Sequence, residues 1–147
     1  MSSGQVCTFW VDSLLFGLDL TEVQEIIRAQ RMTRVPLAPA VLRGLIHLRG
    51  QIVTALCMRT RLGIPQREDK DPMNVLVRCS RGLRSLLVDQ IGDVLEVAST
   101  PHEKPPETLS GTLRELVTGV YKLPEGLVLM LDVERLTTLP PEPRTRP

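Results

Sequence analysis

Apolar residues in this chain come in short runs separated by turn residues, and long stretches with helical spacing are absent. Val6 to Val11 is rich in β-branched and aromatic side chains, and Asp12-Ser13 breaks the run before Leu14 to Leu20, the pattern of a hairpin. Thr21-Glu22-Val23-Gln24 has the form of a capping box. It predicts a short helix ending near Arg28, with Val23, Ile26 and Ile27 inward and Glu25 on a different face. Met32 to Val35 reads as a brief extended piece stopped by Pro36, and Pro39 forbids a long helix before Val41.

The most informative stretch is Gly44 to Leu62. Leu45, Ile46 and Leu48 lie on one side of Arg49-Gly50 and Ile52 to Leu56 on the other, so the segment predicts two strands joined at a tight turn that Gly50 permits. Arg49 stands at the tip, where its planar fork of donors can meet a carboxylate or a carbonyl on another surface. Arg59 to Leu62 predicts a last helical turn ended by Gly63. Further on, Pro65 to Pro72 reads as a solvated loop. Met73 to Arg78, Leu83 to Val88 and Ile91 to Val97 read as strands. The three prolines between Ser99 and Pro106 exclude a regular ladder there. Gly111 to Val117 fits a turn or a short strand. Val120 to Leu123 and Leu127 to Leu131 pair across Pro124-Glu125-Gly126, and Asp132 caps a short final helix to Leu136. Residues 1–138 are expected to form one domain, and residues 139–147, with four prolines, a disordered tail.

An internal repeat is visible. Gly44-x-x-x-Leu48 recurs as Gly119-x-x-x-Leu123, an offset of 75 (119 − 44), and Asp19…Glu25-Ile26 is echoed by Asp89…Glu96-Val97 from an offset of 70 (89 − 19). Two halves with one strand order are expected, each too small for a large core of its own. The many short strands favour barrels over a parallel sheet.

The same segments carry a family resemblance. Gly44-Leu-Ile-x-Leu48-Arg49-Gly50-x-Ile-Val53, preceded by Val35-Pro36 and Leu42-Arg43, is similar to the signature segment of the CheW family, the chemotaxis coupling proteins. Phe16-Gly17-Leu18-Asp19 with Val23-Gln24-Glu25-Ile26, Leu87-Val88-Asp89 with Asp93-Val94, and Gly119-Val120-Tyr121 follow in the family's order. The chain departs from the family in having His47 where Asn is common and Cys57-Met58-Arg59 where Asp-Leu-Arg is common. The resemblance implies an all-β fold with short helices, built as two intertwined five-stranded SH3-like barrels around a common hydrophobic core. It implies a non-enzymatic cytoplasmic adaptor associated with membrane receptor arrays. The partners implied are the regulatory domain of a CheA-type histidine kinase, the cytoplasmic tip of chemoreceptors, and other CheW-like domains in rings. By the same resemblance Arg49, Glu25, Val23 and Met73 are the partner-binding residues, Met73 falling where the second barrel meets the kinase.

Composition changes little in this picture but excludes rivals. A formal charge of +1 with interspersed signs gives no broad pull toward nucleic acid or anionic lipid, and four aromatic residues cannot supply base-stacking platforms. No run of about 20 apolar residues occurs, so no membrane insertion is expected. The three cysteines lack Cys-x-x-Cys spacing, which argues against a disulfide framework or a metal site. Cys57 and Cys79 read as small buried hydrophobes, and most of Arg59, Arg61, Arg78, Arg81 and Arg84 as solvated charges. His47 and His102 are the only histidines, and neither stands in a nucleophile-base pattern. No cofactor is expected. A regulatory domain detached from a chemotaxis kinase is the alternative reading, and the lack of an ATP-binding segment makes the free adaptor the simpler one.

Overall fold

The structure, a computed structural model, describes residues 3–66, 71–109 and 111–139. Strands β1 (Gln5–Val11), β2 (Leu14–Asp19), β3 (Val23–Ile27), β4 (Leu42–Leu48), β5 (Gln51–Cys57), β6 (Met73–Cys79), β7 (Gly82–Val88), β8 (Gln90–Glu96), β9 (Val117–Leu123) and β10 (Gly126–Leu131) form two five-stranded sheets. Helices α1 (Met58–Leu62), α2 (Gly111–Leu116) and α3 (Val133–Thr137) are short. One sheet runs β8-β1-β2-β10-β9 and the other β3-β6-β7-β5-β4. Both contain one parallel pairing at the same place, β2 with β10 and β7 with β5. The second sheet uses five consecutive strands, whereas the first takes three late strands and returns to the N-terminal hairpin. The two share one plan with the strand order cyclically shifted.

Neither ladder closes into a barrel, but in each one isolated bridge ties the chain beyond one edge strand to the other edge strand. The chain leaving β3 crosses to β4 in an isolated bridge, where Thr33 N donates to Leu45 O at 2.9 Å and Leu45 N to Thr33 O at 2.8 Å. Beyond β8, Glu103 and Val120 exchange the same two bonds, each 2.9 Å. The pairs are offset by 70 (103 − 33) and 75 (120 − 45), the offsets of the sequence repeat. The repeat glycines follow from these bridges. A Cβ on Gly44 would lie 2.8 Å from Thr33 O, and one on Gly119 would lie 2.9 Å from Glu103 O. We expect Gly44→Ala to destabilise the fold by about 1–3 kcal/mol, the cost of overpacking against backbone that cannot yield. Hydrogen exchange should rise at Thr33 and Leu45 first. Unchanged stability and protection would show that the bridge does not hold the two edges of the sheet together.

A main core lies between the sheets. It joins Phe9, Phe16, Leu18 and Leu129 of the first to Val75, Val77, Leu86 and Leu56 of the second, with Met58, Leu62 and Leu136 from the helices. Phe9 and Phe16 are directly opposed across β1 and β2, their ring centroids 5.9 Å apart. Each sheet also encloses a small cluster of its own, Val6, Leu15, Val97 and Val128 in one and Ile46, Ala55 and Leu87 in the other.

Two local expectations are corrected. Val23 to Ile27 is a strand, not a helix. Asp19 caps the turn before it, accepting from Thr21 N at 3.0 Å and Thr21 Oγ1 at 2.6 Å, so Asp19 and not Thr21 holds the capping position. Only a three-residue 3-10 turn, Leu20–Glu22, results. Its β-branched successors then pair antiparallel with β6. Gly111 to Leu116 is a helix rather than a turn or strand, with Leu113 and Leu116 against the main core. Elsewhere Gly63 ends α1 with φ +74, and Asp132 Oδ1 accepts from Glu134 N at 3.0 Å at the start of α3. Most of the expected proline-rich tail, and residues 67–70 of the expected loop, lie outside the described residues.

A polar seam crosses between the halves at Arg59, which is 7% exposed. Its guanidinium forms a bidentate pair with Asp89, Nε to Oδ1 at 3.1 Å and Nη2 to Oδ2 at 2.6 Å. Nη2 also reaches Asp12 Oδ1 at 3.2 Å, and Nη1 reaches the Pro65 carbonyl. Asp12 sits in the β1–β2 turn with φ +59, a conformation aspartate tolerates, and its N–H donates to Asp89 Oδ2 at 2.6 Å. Hydrogen bonds donated to Asp89 and Asp12 hold Arg59 above its ordinary pKa although burial works the other way.

Candidate functional site

β4 and β5 pair from Leu42↔Leu56 to Leu48↔Gln51, leaving Arg49 and Gly50 as a two-residue connection. Their φ values, +48 and +84, are those of a primed type I turn, which matches the twist of the flanking strands. Glycine accepts this backbone freely and asparagine easily, whereas arginine pays roughly 1–2 kcal/mol. A turn chosen only for folding would not carry arginine here. Its side chain is 63% exposed and forms an ion pair with Glu25 of β3, itself 31% exposed. The pair aims the fork without burying it, leaving donors free to face outward.

Two of the four residues singled out in the sequence therefore meet. Val23, on the same strand as Glu25, is partly buried and packed against the main core, and so is Met73 at the start of β6, opposite Val88. Exposed isoleucines that sequence reasoning passed over accompany the Arg49–Glu25 pair: Ile26 next to Glu25, and Ile52, 63% exposed, directly opposite the exposed His47. Three positions after the turn arginine, Ile52 breaks the alternation of the preceding strand, the one signal that could have found it.

The other arginines are more engaged than composition suggests. Arg59 forms the seam, and Arg61 caps α3 through the carbonyls of Leu136, Arg135 and Thr138 at 2.8, 2.9 and 3.1 Å. Arg78 reaches Thr21 O at 2.9 Å and Gln24 Oε1 at 3.2 Å, holding the start of β3. A cavity of about 160 Å³ is lined by Met32, Arg43, Cys57, Gln66, Asp71 and Leu87 with Arg59 and Asp89 of the seam. Burial alone would raise the Cys57 thiol, but hydrogen bonds from Thr60, Gln66 and Arg43 outweigh it and leave the thiol below its ordinary value. No histidine lines the cavity to serve as its base. Cys7, buried without such partners, is pushed up. Among the described residues no three His, Cys, Asp or Glu side chains gather as a metal site. No described helix is long and apolar enough to cross a membrane.

The tip pair on a positive-φ turn and the exposed isoleucines beside it make a surface suited to contact. The model of the CheW-like domain matches residues 5–140. A chemotaxis protein CheW of Treponema pallidum is 26% identical over 137 residues, covering 90% of this chain and 81% of the relative. One from Klebsiella aerogenes is 29% identical over 123 residues, covering 82% and 74%. The crystal structure of a scaffolding CheW protein from Thermoanaerobacter tengcongensis superposes with a TM-score of 0.82 at 25% identity, over 92% of this chain and 93% of that one. With its fold, its repeat and nearly its whole length accounted for, the chain belongs to the CheW-like domain family.

Proposed function

We propose that this chain is a non-enzymatic adaptor of chemosensory signalling, working in the cytoplasm, that joins the tips of chemoreceptors to the regulatory domain of a CheA-type histidine kinase. The observation that supports it is the arginine at φ +48 on the β4–β5 tip, paired with Glu25 and still largely exposed. Such a residue costs folding energy locally, and an interaction outside the chain repays it. Arg49 and Glu25 make the contact, and Ile52 and Ile26 supply apolar area beside them. Val23 and Met73 support the surface from the core side. An adaptor of this kind passes a signal as a shift in the population of kinase states, so it needs two faces and no reacting group.

The test is reconstitution. The purified chain, a receptor-tip fragment and a kinase regulatory domain should elute together in size-exclusion chromatography, and Glu25→Lys should weaken that assembly about tenfold, the scale of a lost interface charge pair. Failure of the wild-type chain to elute with either partner would overturn the adaptor reading.

A further inference from the structure

We propose that the loop joining β3 to β4, together with Arg43, is a docking surface for an acidic amphipathic helix of a protein partner, with Leu37 as its apolar anchor. Leu37 is fully exposed and has φ +63. It follows Pro36, and Ala38 N donates to Val35 O at 3.4 Å, so Leu37 occupies the third position of a type II turn, where glycine or asparagine is the residue of low cost. A leucine there is penalised twice, by water and by its backbone. Among the described residues nothing covers it.

The charge around it specifies the occupant. From Ile26 to Gln66 the sequence has seven arginines and no aspartate or glutamate, in a chain whose net charge is +1. Arg49 and Arg59 meet carboxylates brought from outside that stretch, and Arg61 meets carbonyls. Arg28, Arg31 and Arg34 are exposed, and among the described residues none has an ion pair. Arg43 reaches the neutral Gln66 at 3.2 Å and the Cys57 thiol, and among the described residues it has no ion pair. Carboxylates on a partner complement these arginines.

The loop is also built to receive one. Pro36 and Pro39 stiffen it, Leu42 N donates to Pro39 O at 2.9 Å, and the Thr33–Leu45 bridge anchors it to β4. Little ordering is left to do on binding. Met32, Val35, Leu37, Ala38 and Leu42 line an open groove of about 1000 Å³ flanked by Arg34 and Arg43, room for the side chains of a helix face rather than for one group. A single anchor in a stiff, concave loop suits a helix better than a lipid surface, which favours a broad apolar face. The groove lies at the other end of β4 from Arg49, about 20 Å away along a seven-residue strand. It therefore goes beyond the tip contact and gives the adaptor its second face.

The probe is a fluorescent helical peptide with a glutamate face and a leucine stripe. Controls are the same residues scrambled and vesicles of phosphatidylglycerol in phosphatidylcholine. The amphipathic peptide should bind saturably, more weakly as salt rises, with amide shifts confined to residues 28–43 and to Thr60 and Gln66, which line the same groove. Leu37→Asn should keep or raise the melting temperature while lowering affinity about tenfold. Arg31→Glu with Arg34→Glu should lower it similarly, and Arg49→Glu should leave it unchanged. Equal binding of the scrambled peptide, binding to the vesicles, shifts elsewhere, or no binding each overturns the proposal. The adaptor reading is judged apart from it, by co-elution with kinase and receptor fragments.

Discussion

Arg59→Ala should lower the stability of this protein by about 3–5 kcal/mol, the usual result of removing one partner from a buried charge network. Two causes add. The carboxylate of Asp89, 14% exposed, keeps its burial and loses its bidentate partner, and the turn at Asp12 loses a contact that ties the first sheet to α1. In a chain of this size that is a large part of the whole, worth roughly 10 °C in melting temperature. Because one core spans both sheets, Trp10 fluorescence and far-ultraviolet circular dichroism should still report a single coincident transition. Adding Asp89→Leu to Arg59→Met should recover part of the loss, since the pair is then replaced rather than broken. A loss below about 1 kcal/mol for Arg59→Ala would mean that water reaches the seam freely and the halves do not depend on it.

Arg49→Glu should abolish assembly while leaving the fold nearly intact. The substitution sets a carboxylate beside Glu25, but the pair it replaces is mostly exposed, and such surface pairs are worth at most about 1 kcal/mol. At an interface the same reversal turns attraction into repulsion and costs about 2 kcal/mol or more, a loss near thirtyfold. The charge-swapped variant, Arg49→Glu with Glu25→Arg, separates the two roles. It should restore the melting temperature and not the assembly. If it restores both, the pair acts only within the chain, and if Arg49→Glu binds kinase and receptor normally, the tip is not a contact.

What could be read along the chain was whatever neighbouring residues decide. Arg49-Gly50 announces a tight hairpin, Gly63 a helix end and Asp132 a helix start, each because a few adjacent groups settle the backbone. The repeat too was legible, since Gly44 and Gly119 answer to the same crossing of the chain. Val23 to Ile27 was misread because a capping-box pattern and β-branched residues point in opposite directions, and only the distant β6 decides between them. Arg59 looked solvated because its carboxylates lie 30 and 47 positions away. The pairing of Arg49 with Glu25, 24 positions apart, was out of reach for the same reason.

The cyclically shifted strand order has a consequence in time. Synthesised from the N-terminus, the chain finishes the β3–β7 sheet from one continuous stretch, while the β1–β2 hairpin, made earlier, still lacks β8, β9 and β10. Until those strands leave the ribosome, β1 and β2 have no neighbours in their sheet beyond each other, and Phe9 and Phe16 have only half of their core. The first hairpin made is the last to be completed, and the late strands act as the clasp that holds it.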